Sequence, residues 1–280
     1  MRTAPEGDTR RKRRCRFLLA AGEPPAVSVI RPSGRSAYVL VCDHAANRLP
    51  RALGTLGLPP SERRRHIAWD LGAAEVARGL SAALDAVLIA QNYSRLAIDA
   101  NRRPWVASSI VAVSERTAIP GNRHIAAAGR GARRRALFDP YHRRIAAELD
   151  ARLGRGRPAI LVAVHSFTPR FKGKARPWHV GLLYNRDRRL AGVLGDLLRR
   201  EGDLVVGDNQ PYAVSDATDY TLPVHGERRA IPHVGLEIRQ DLLATASQRA
   251  GWVERLARLL RRAEGMVADA EPTSRKRVER

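Results

Sequence analysis

Tyr38-Val39-Leu40-Val41-Cys42 runs straight into Asp43-His44, and this junction sets the reading of the chain. An apolar run without alternation suits a strand buried on both faces of a sheet, which leaves the polar pair at its carboxyl end. The same design recurs along the sequence. Val87-Leu88-Ile89, Leu96-Ala97-Ile98, Ala159 to Val164, Val180 to Leu183, Leu204 to Val206 and Val234 to Ile238 are further short apolar runs that predict strands. Three of them also end in polar residues: Asp99-Ala100-Asn101-Arg102, His165-Ser166 and Tyr184-Asn185. Between the runs lie helical patterns. Ser61-Glu62 opens one in which Ile67, Leu71, Ala74, Val76, Leu80 and Leu84 recur at helical spacing. Others cover Arg133 to Leu153, closed by Gly154, then Leu190 to Arg200 and Leu242 to Arg262. The alternation predicts an α/β layer architecture with a mostly parallel sheet. In such sheets ligands collect beyond the carboxyl ends of the strands, where this sequence puts its polar residues.

A chain of 280 residues with 44% hydrophobic content is long enough to bury one large core. A single catalytic domain over residues 28–270 is expected, flanked by basic and charged tails, 1–27 and 271–280, expected to be disordered. No apolar run approaches the ~20 residues of a membrane helix, and Phe17 to Ala21 is too short for a signal segment, so a cytoplasmic location is expected. The two cysteines, Cys15 and Cys42, predict neither a structural disulfide nor a cysteine-rich zinc site. The net charge of +22 raises the question of nucleic acid. Its arginines are scattered over predicted helix faces (Arg63 to Arg65, Arg133 to Arg135, Arg199 and Arg200) and both tails, which reads as solvated surface. A positive field of this kind favours capture of a small anionic substrate.

Parallel strand ends lie side by side, so His44, the Asp99 to Arg102 segment, His165 and the carboxylate Glu237 are expected to meet at one edge of the sheet. His44 and His165 would supply neutral imidazoles to a metal ion, Asn47 a carbonyl oxygen, and water the open position of a catalytic site. Glu237, in the otherwise apolar run Val234 to Ile238, is costly to bury without a purpose or a paired charge. It is the candidate to carry a proton from that water to a leaving amine, and an ion pair with Arg239 is the plainer alternative. Asn101 and Arg102 suit recognition of a substrate carboxylate, since guanidinium matches it bidentately; a salt bridge to Asp99 or Asp70 is the alternative.

Several segments resemble the N-formylglutamate amidohydrolase family. They are Val41 to Pro50, His66 to Ala73, Ser94 to Arg102, Ile119 to Asn122, His165 to Pro169, Gly207 to Tyr212, Tyr220 to Pro223 and Glu237 to Asp241, in matching order and spacing. The resemblance implies a three-layer α/β/α fold with a central mixed, mostly parallel sheet similar to the zinc exopeptidases. It also implies a Zn2+-dependent cleavage of N-formyl-L-glutamate to formate and L-glutamate. Onto this chain the exopeptidase pattern falls at His44, Asn47 and His165 for the metal, Asn101 and Arg102 for the substrate carboxylate, and Glu237 for catalysis. Asn47 stands where the wider group has a glutamate, and an amide oxygen is the weaker donor, so the expectation is either a less tightly bound zinc or a further carboxylate ligand such as Asp43, Asp70 or Asp99. Arg95, Asp99, Tyr184, Asn209, His225 and Arg239 complete the candidate substrate-binding set, with Tyr212 beside them. The loop from Gly207 to His233 is a candidate lid. Two competing readings are a cysteine amidase built on Cys42 with His44 and a basic nucleic-acid binder. The second lacks interleaved aromatics, because Phe, Trp and Tyr make up only 5% of the chain.

Overall fold

Seven strands form the central sheet of the structure, a computed structural model that describes residues 18–268. They are β1 Val27–Ile30, β2 Tyr38–Cys42, β3 Val87–Gln91, β6 Ile160–Phe167, β9 Val180–Leu183, β10 Val206–Asp208 and β11 His233–Arg239. Two small hairpins stand outside it, β4 Val113–Ser114 with β5 Thr117–Ala118 and β7 Arg170–Phe171 with β8 Lys174–Ala175. The strand order is β1-β3-β2-β6-β11-β9-β10. Four neighbouring pairs are parallel, whereas β1 with β3 and β11 with β9 are antiparallel, so the sheet is mixed and mostly parallel. The helices are α1 Pro60–Arg63, α2 Ala73–Leu84, α3 Ala127–Arg133, α4 Asp139–Leu153, α5 Arg189–Arg199 and α6 Ala246–Ala268.

Every residue of β2 is buried, because both sheet faces are covered. Tyr38, Leu40 and Cys42 pack with α2, α5 and α6, while Val39 and Val41 face Tyr141, Ile145 and Leu149 of α4. Each aliphatic side chain fully buried in this way contributes about 1.5–3 kcal/mol relative to exposure, which holds the run at the middle of three layers. No helix among the described residues is long and apolar enough to cross a membrane.

Three sequence expectations change. Leu96-Ala97-Ile98 is buried but is no strand: its carbonyls accept hydrogen bonds from side chains, Leu96 O from Asn122 and Ala97 O from Arg133. A backbone satisfied in that way needs no ladder, and Arg133 thereby leaves the predicted solvent face. The helix expected from Ser61 to Leu84 is split by a loop at 64–72. Gly72 takes φ +78°, and a Cβ there would sit 2.6 Å from Leu243 Cβ. That break frees Asp70 from a helix and ties it to the end of β2, its N–H donating to His44 O at 3.0 Å. Within residues 18–26, assigned to the N-terminal tail, several side chains are packed instead. Leu18, Leu19 and Ala26 join a core cluster, and Pro24 O accepts from the Tyr93 hydroxyl. The expectations for 1–17 and 271–280 lie outside the described residues.

Candidate active site

Side-chain alternation places the first half of the site. Leu236 and Ile238 face the α2 layer, so Glu237 between them faces the other side, and Val164 and His165 divide in the same way. Glu237 and His165 are register partners on adjacent parallel strands, which sets them side by side on one face. His44 follows the end of β2, the next strand along. These side chains open into a cavity of about 470 Å³ that Ala163 and Gly235 also line.

Asp70 is the hub of the cluster. Its Oδ2 lies 2.8 Å from His165 Nδ1 and 3.2 Å from His44 Nδ1. The other nitrogen of each ring faces a further carboxylate. His44 Nε2 is 2.8 Å from Asp99 Oδ1, and His165 Nε2 is 3.1 Å from Asp43 Oδ2. Those outer carboxylates are held in turn. Tyr141 and Thr221 hydroxyls donate to Asp43 Oδ1, while Arg95 and the Asn101 N–H donate to Asp99.

The charges do not balance among these residues. One guanidinium, Arg95, pairs with Asp70 and Asp99, and Asp43 has none, so three carboxylates against one permanent cation leave two negative charges beside neutral imidazoles. Buried charges of that kind need partners: two protons on the rings, or one divalent cation between them. The first of these, protons on the rings, leaves its mark on the pKa values. Burial alone lowers His44 and His165, and the carboxylates overturn it, raising both. Burial alone raises Asp70, and the two imidazoles overturn that, taking it below the ordinary carboxylate range. His44, Asp70 and His165 each offer a ligand atom, all within 4.8 Å of one another, and the donor set fits a catalytic zinc with an open position. Outer carboxylates on the distal ring nitrogens are the usual means of orienting such histidines.

Glu237 is the exception among the acids. Burial pushes its pKa up to about 7, and its Oε2 has no hydrogen-bond partner. Such a carboxyl exchanges protons near neutral pH.

Of the residues chosen from sequence, His44, His165, Glu237, Asn101, Arg102, Arg95 and Asp99 line the cavity. Two arginines arrive already paired. Arg95 forks onto Asp99 and reaches Asp70 at 3.4 Å, and Arg102 pairs with Asp219. Asn47 is not brought to the cluster. Its amide donates to Arg63 O at 3.1 Å, which holds it at the end of α1. Tyr184, Asn209, His225 and Arg239 stand outside the cavity. The Tyr184 N–H donates to Asn209 Oδ1, His225 stacks on His142, and Arg239 pairs with Asp241 rather than Glu237. Cys42 is fully buried on the opposite sheet face, where burial raises its thiol well above the ordinary range, which removes the basis for a cysteine amidase. Sequence reading named Asp70 only as one of three acids. Its place inside a predicted helix, between the apolar positions Ile67 and Leu71, hid it, although the glycine two residues later signals the break.

A family model described as N-formylglutamate amidohydrolase matches residues 36–244. No curated protein matches the chain. Among solved structures, a gene product from Agrobacterium tumefaciens is similar at 35% identity and a TM-score of 0.87, covering 90% of this chain and 100% of that one. The N-formylglutamate amidohydrolase from Ralstonia eutropha JMP134 shares the fold, with 18% identity and a TM-score of 0.64 over 88% of this chain and 100% of that one.

Proposed function

Because the chain belongs to the N-formylglutamate amidohydrolase family, whose members hydrolyse amide bonds, we propose that it cleaves the acyl amide of a small acidic N-acyl amino acid in a metal-dependent reaction. N-formyl-L-glutamate is the first compound to try. The observation that supports this most is the charge imbalance around Asp70: two buried imidazoles enclosed by three carboxylates form a seat for a divalent cation. His44, Asp70 and His165 would hold that ion. When bound, it supplies Lewis acidity and a water acidic enough to attack a carbonyl at neutral pH.

The protein's own groups do the rest. Asp43 and Asp99 hold the two rings by their far nitrogens and keep both Nδ1 atoms turned to Asp70. Glu237 takes the proton from the attacking water and returns it to the departing amine nitrogen, a task suited to a carboxyl poised at about 7. Asn101 and Arg102 meet the carboxylate of the amino acid. Arg102 now rests on Asp219, and an incoming carboxylate competes for the same guanidinium face. The reading assigns the chemistry to one catalytic domain of a cytoplasmic enzyme.

The test is a hydrolysis screen of N-formyl, N-acetyl and N-succinyl derivatives of Glu, Asp, Gln and His, with and without added zinc. Zinc-dependent release of amine from an acidic derivative is expected. No release from any of them, with metal bound at about one ion per chain, removes the reading.

A further inference from the structure

Arg176 is 9% exposed, and among the described residues no carboxylate lies within ion-pair distance of it. Its guanidinium is instead packed against rings, 4.6 Å from the centroid of Phe171, 4.7 Å from that of Tyr212 and 6.0 Å from that of Phe167. One N–H donates to the Tyr212 hydroxyl at 2.8 Å. A phenol has one proton to give, and a guanidinium cannot accept it. The Tyr212 O–H therefore points away from Arg176, and a cation on its oxygen makes it a stronger donor.

The backbone brings Tyr212 to the reacting face of the sheet. Gly181 is the register partner of Glu237, and the loop after β10 lies directly on it: a Cβ at Gly181 would come 1.7 Å from Gln210 O. Tyr212, two residues further on, lines the same cavity as Glu237. Tyr212 is 40% exposed over the whole residue, but desolvation of its phenol at the cavity wall, with the Glu237 carboxylate adding to it, raises its pKa, so the phenol keeps its proton. Three other hydroxyls lining the cavity are committed elsewhere. Ser166 donates to Leu71 O, Thr168 to Arg170 O and Thr218 to Asp219.

We propose that Tyr212 is a further catalytic residue, donating its O–H to the oxygen of the scissile carbonyl as negative charge develops there, and that Arg176 is the positioning residue that aims it. The proposal rests on the amidohydrolase reading above. A donor aimed at a developing oxyanion contributes to the transition state more than to the bound substrate, so its removal lowers kcat rather than raising KM.

The experiment compares wild type with Tyr212→Phe, which keeps the ring against Arg176, and with Arg176→Met and the double variant. With N-formyl-L-glutamate, Tyr212→Phe should lose about 10²-fold in kcat with KM little changed. Arg176→Met should fall in the same direction, and the double variant no further than Tyr212→Phe, because both act through one hydrogen bond. A second readout is binding of a phosphinate analogue, whose tetrahedral P–O group replaces the reacting carbonyl. Its affinity should drop about as far as kcat in Tyr212→Phe, while affinity for L-glutamate stays at the wild-type value. Wild-type kcat and analogue affinity in Tyr212→Phe would overturn the proposal and leave the amidohydrolase reading standing. Equal losses for the analogue and L-glutamate would also overturn it, by making Tyr212 a ground-state contact. A wild type that neither turns over nor binds the analogue would remove the underlying reading, and the proposal with it.

Discussion

His44 and His165 have ring centroids 5.0 Å apart, and elsewhere in the same domain His142 and His225 lie 5.2 Å apart. Both pairs are buried, yet their surroundings oppose each other. Around the first pair, all four ring nitrogens face carboxylate oxygens. Around the second there is none. His142 donates from Nε2 to Ala100 O at 2.8 Å, its Nδ1 accepts from His225 Nε2 at 3.0 Å, and His225 Nδ1 looks toward Arg229. Burial lowers all four imidazoles. Only the carboxylates reverse it, so the first pair is built to share positive charge and the second to stay neutral, with His142 at about 4 and His225 also held well below the ordinary imidazole range. A buried histidine pair is therefore read by what faces its nitrogens, and here one pair is a candidate ion seat while the other braces the Asp99 to Arg102 segment from behind.

The contrast breaks most sharply at the first pair. Asp70→Asn removes the charge that both Nδ1 atoms share, and the ion content should fall from about one per chain toward none, together with activity. Glu237→Gln should keep the ion and lose about 10²–10⁴-fold in kcat, the usual range for a positioned proton carrier. Elemental analysis beside kinetics separates the two, and unchanged turnover in Glu237→Gln would take that residue out of the chemistry.

A smaller effect is expected one layer out. Asp99→Asn leaves the three candidate ligands in place but weakens the orientation of His44, and metal affinity should drop about 10- to 100-fold. Titration against a zinc-buffering chelator measures it; wild-type affinity would mean that Asp99 serves Arg95 alone.

The second pair should show itself in stability rather than activity. The folded pKa of His142 is lowered, so as pH falls the unfolded chain takes up a proton near 6.5 that the folded protein refuses until about 4. Stability from this group is thus intact above pH 6.5 and is lost as pH falls through that window, by roughly 3 kcal/mol for His142. Urea unfolding at pH 7 and pH 4.5 should show the loss in wild type and a shallower one in His142→Gln. Equal losses would place the acid sensitivity elsewhere.

Legibility followed range of interaction. β2, β9 and β11 stand where the apolar runs put them, because burial on both faces leaves an uninterrupted signature. Leu96 to Ile98 carries the same signature without being a strand, since Asn122 and Arg133, distant in sequence, satisfy its backbone. The choice of His44, His165 and Glu237 came from their places at or near strand ends. Asp70 could not be separated from Asp43 and Asp99 in that way, because all three are acids near the same motifs. Part of the surface charge, by contrast, goes into ion pairs such as Arg144 with Glu148 and Arg258 with Glu201, each worth little by itself, and the net excess of +22 leaves the remaining cations without a carboxylate.

By itself the sequence determined the layered α/β architecture and the polar groups delivered to one sheet edge, since periodicity and strand ends are local properties of the chain. Only the tertiary structure decided that Asp70, and not Asn47, stands between the histidines, that Arg102 begins on Asp219, and that Arg176 turns toward a tyrosine. Each of those outcomes depends on which partner a folded loop brings within about 3 Å, the range over which a hydrogen bond or ion pair forms.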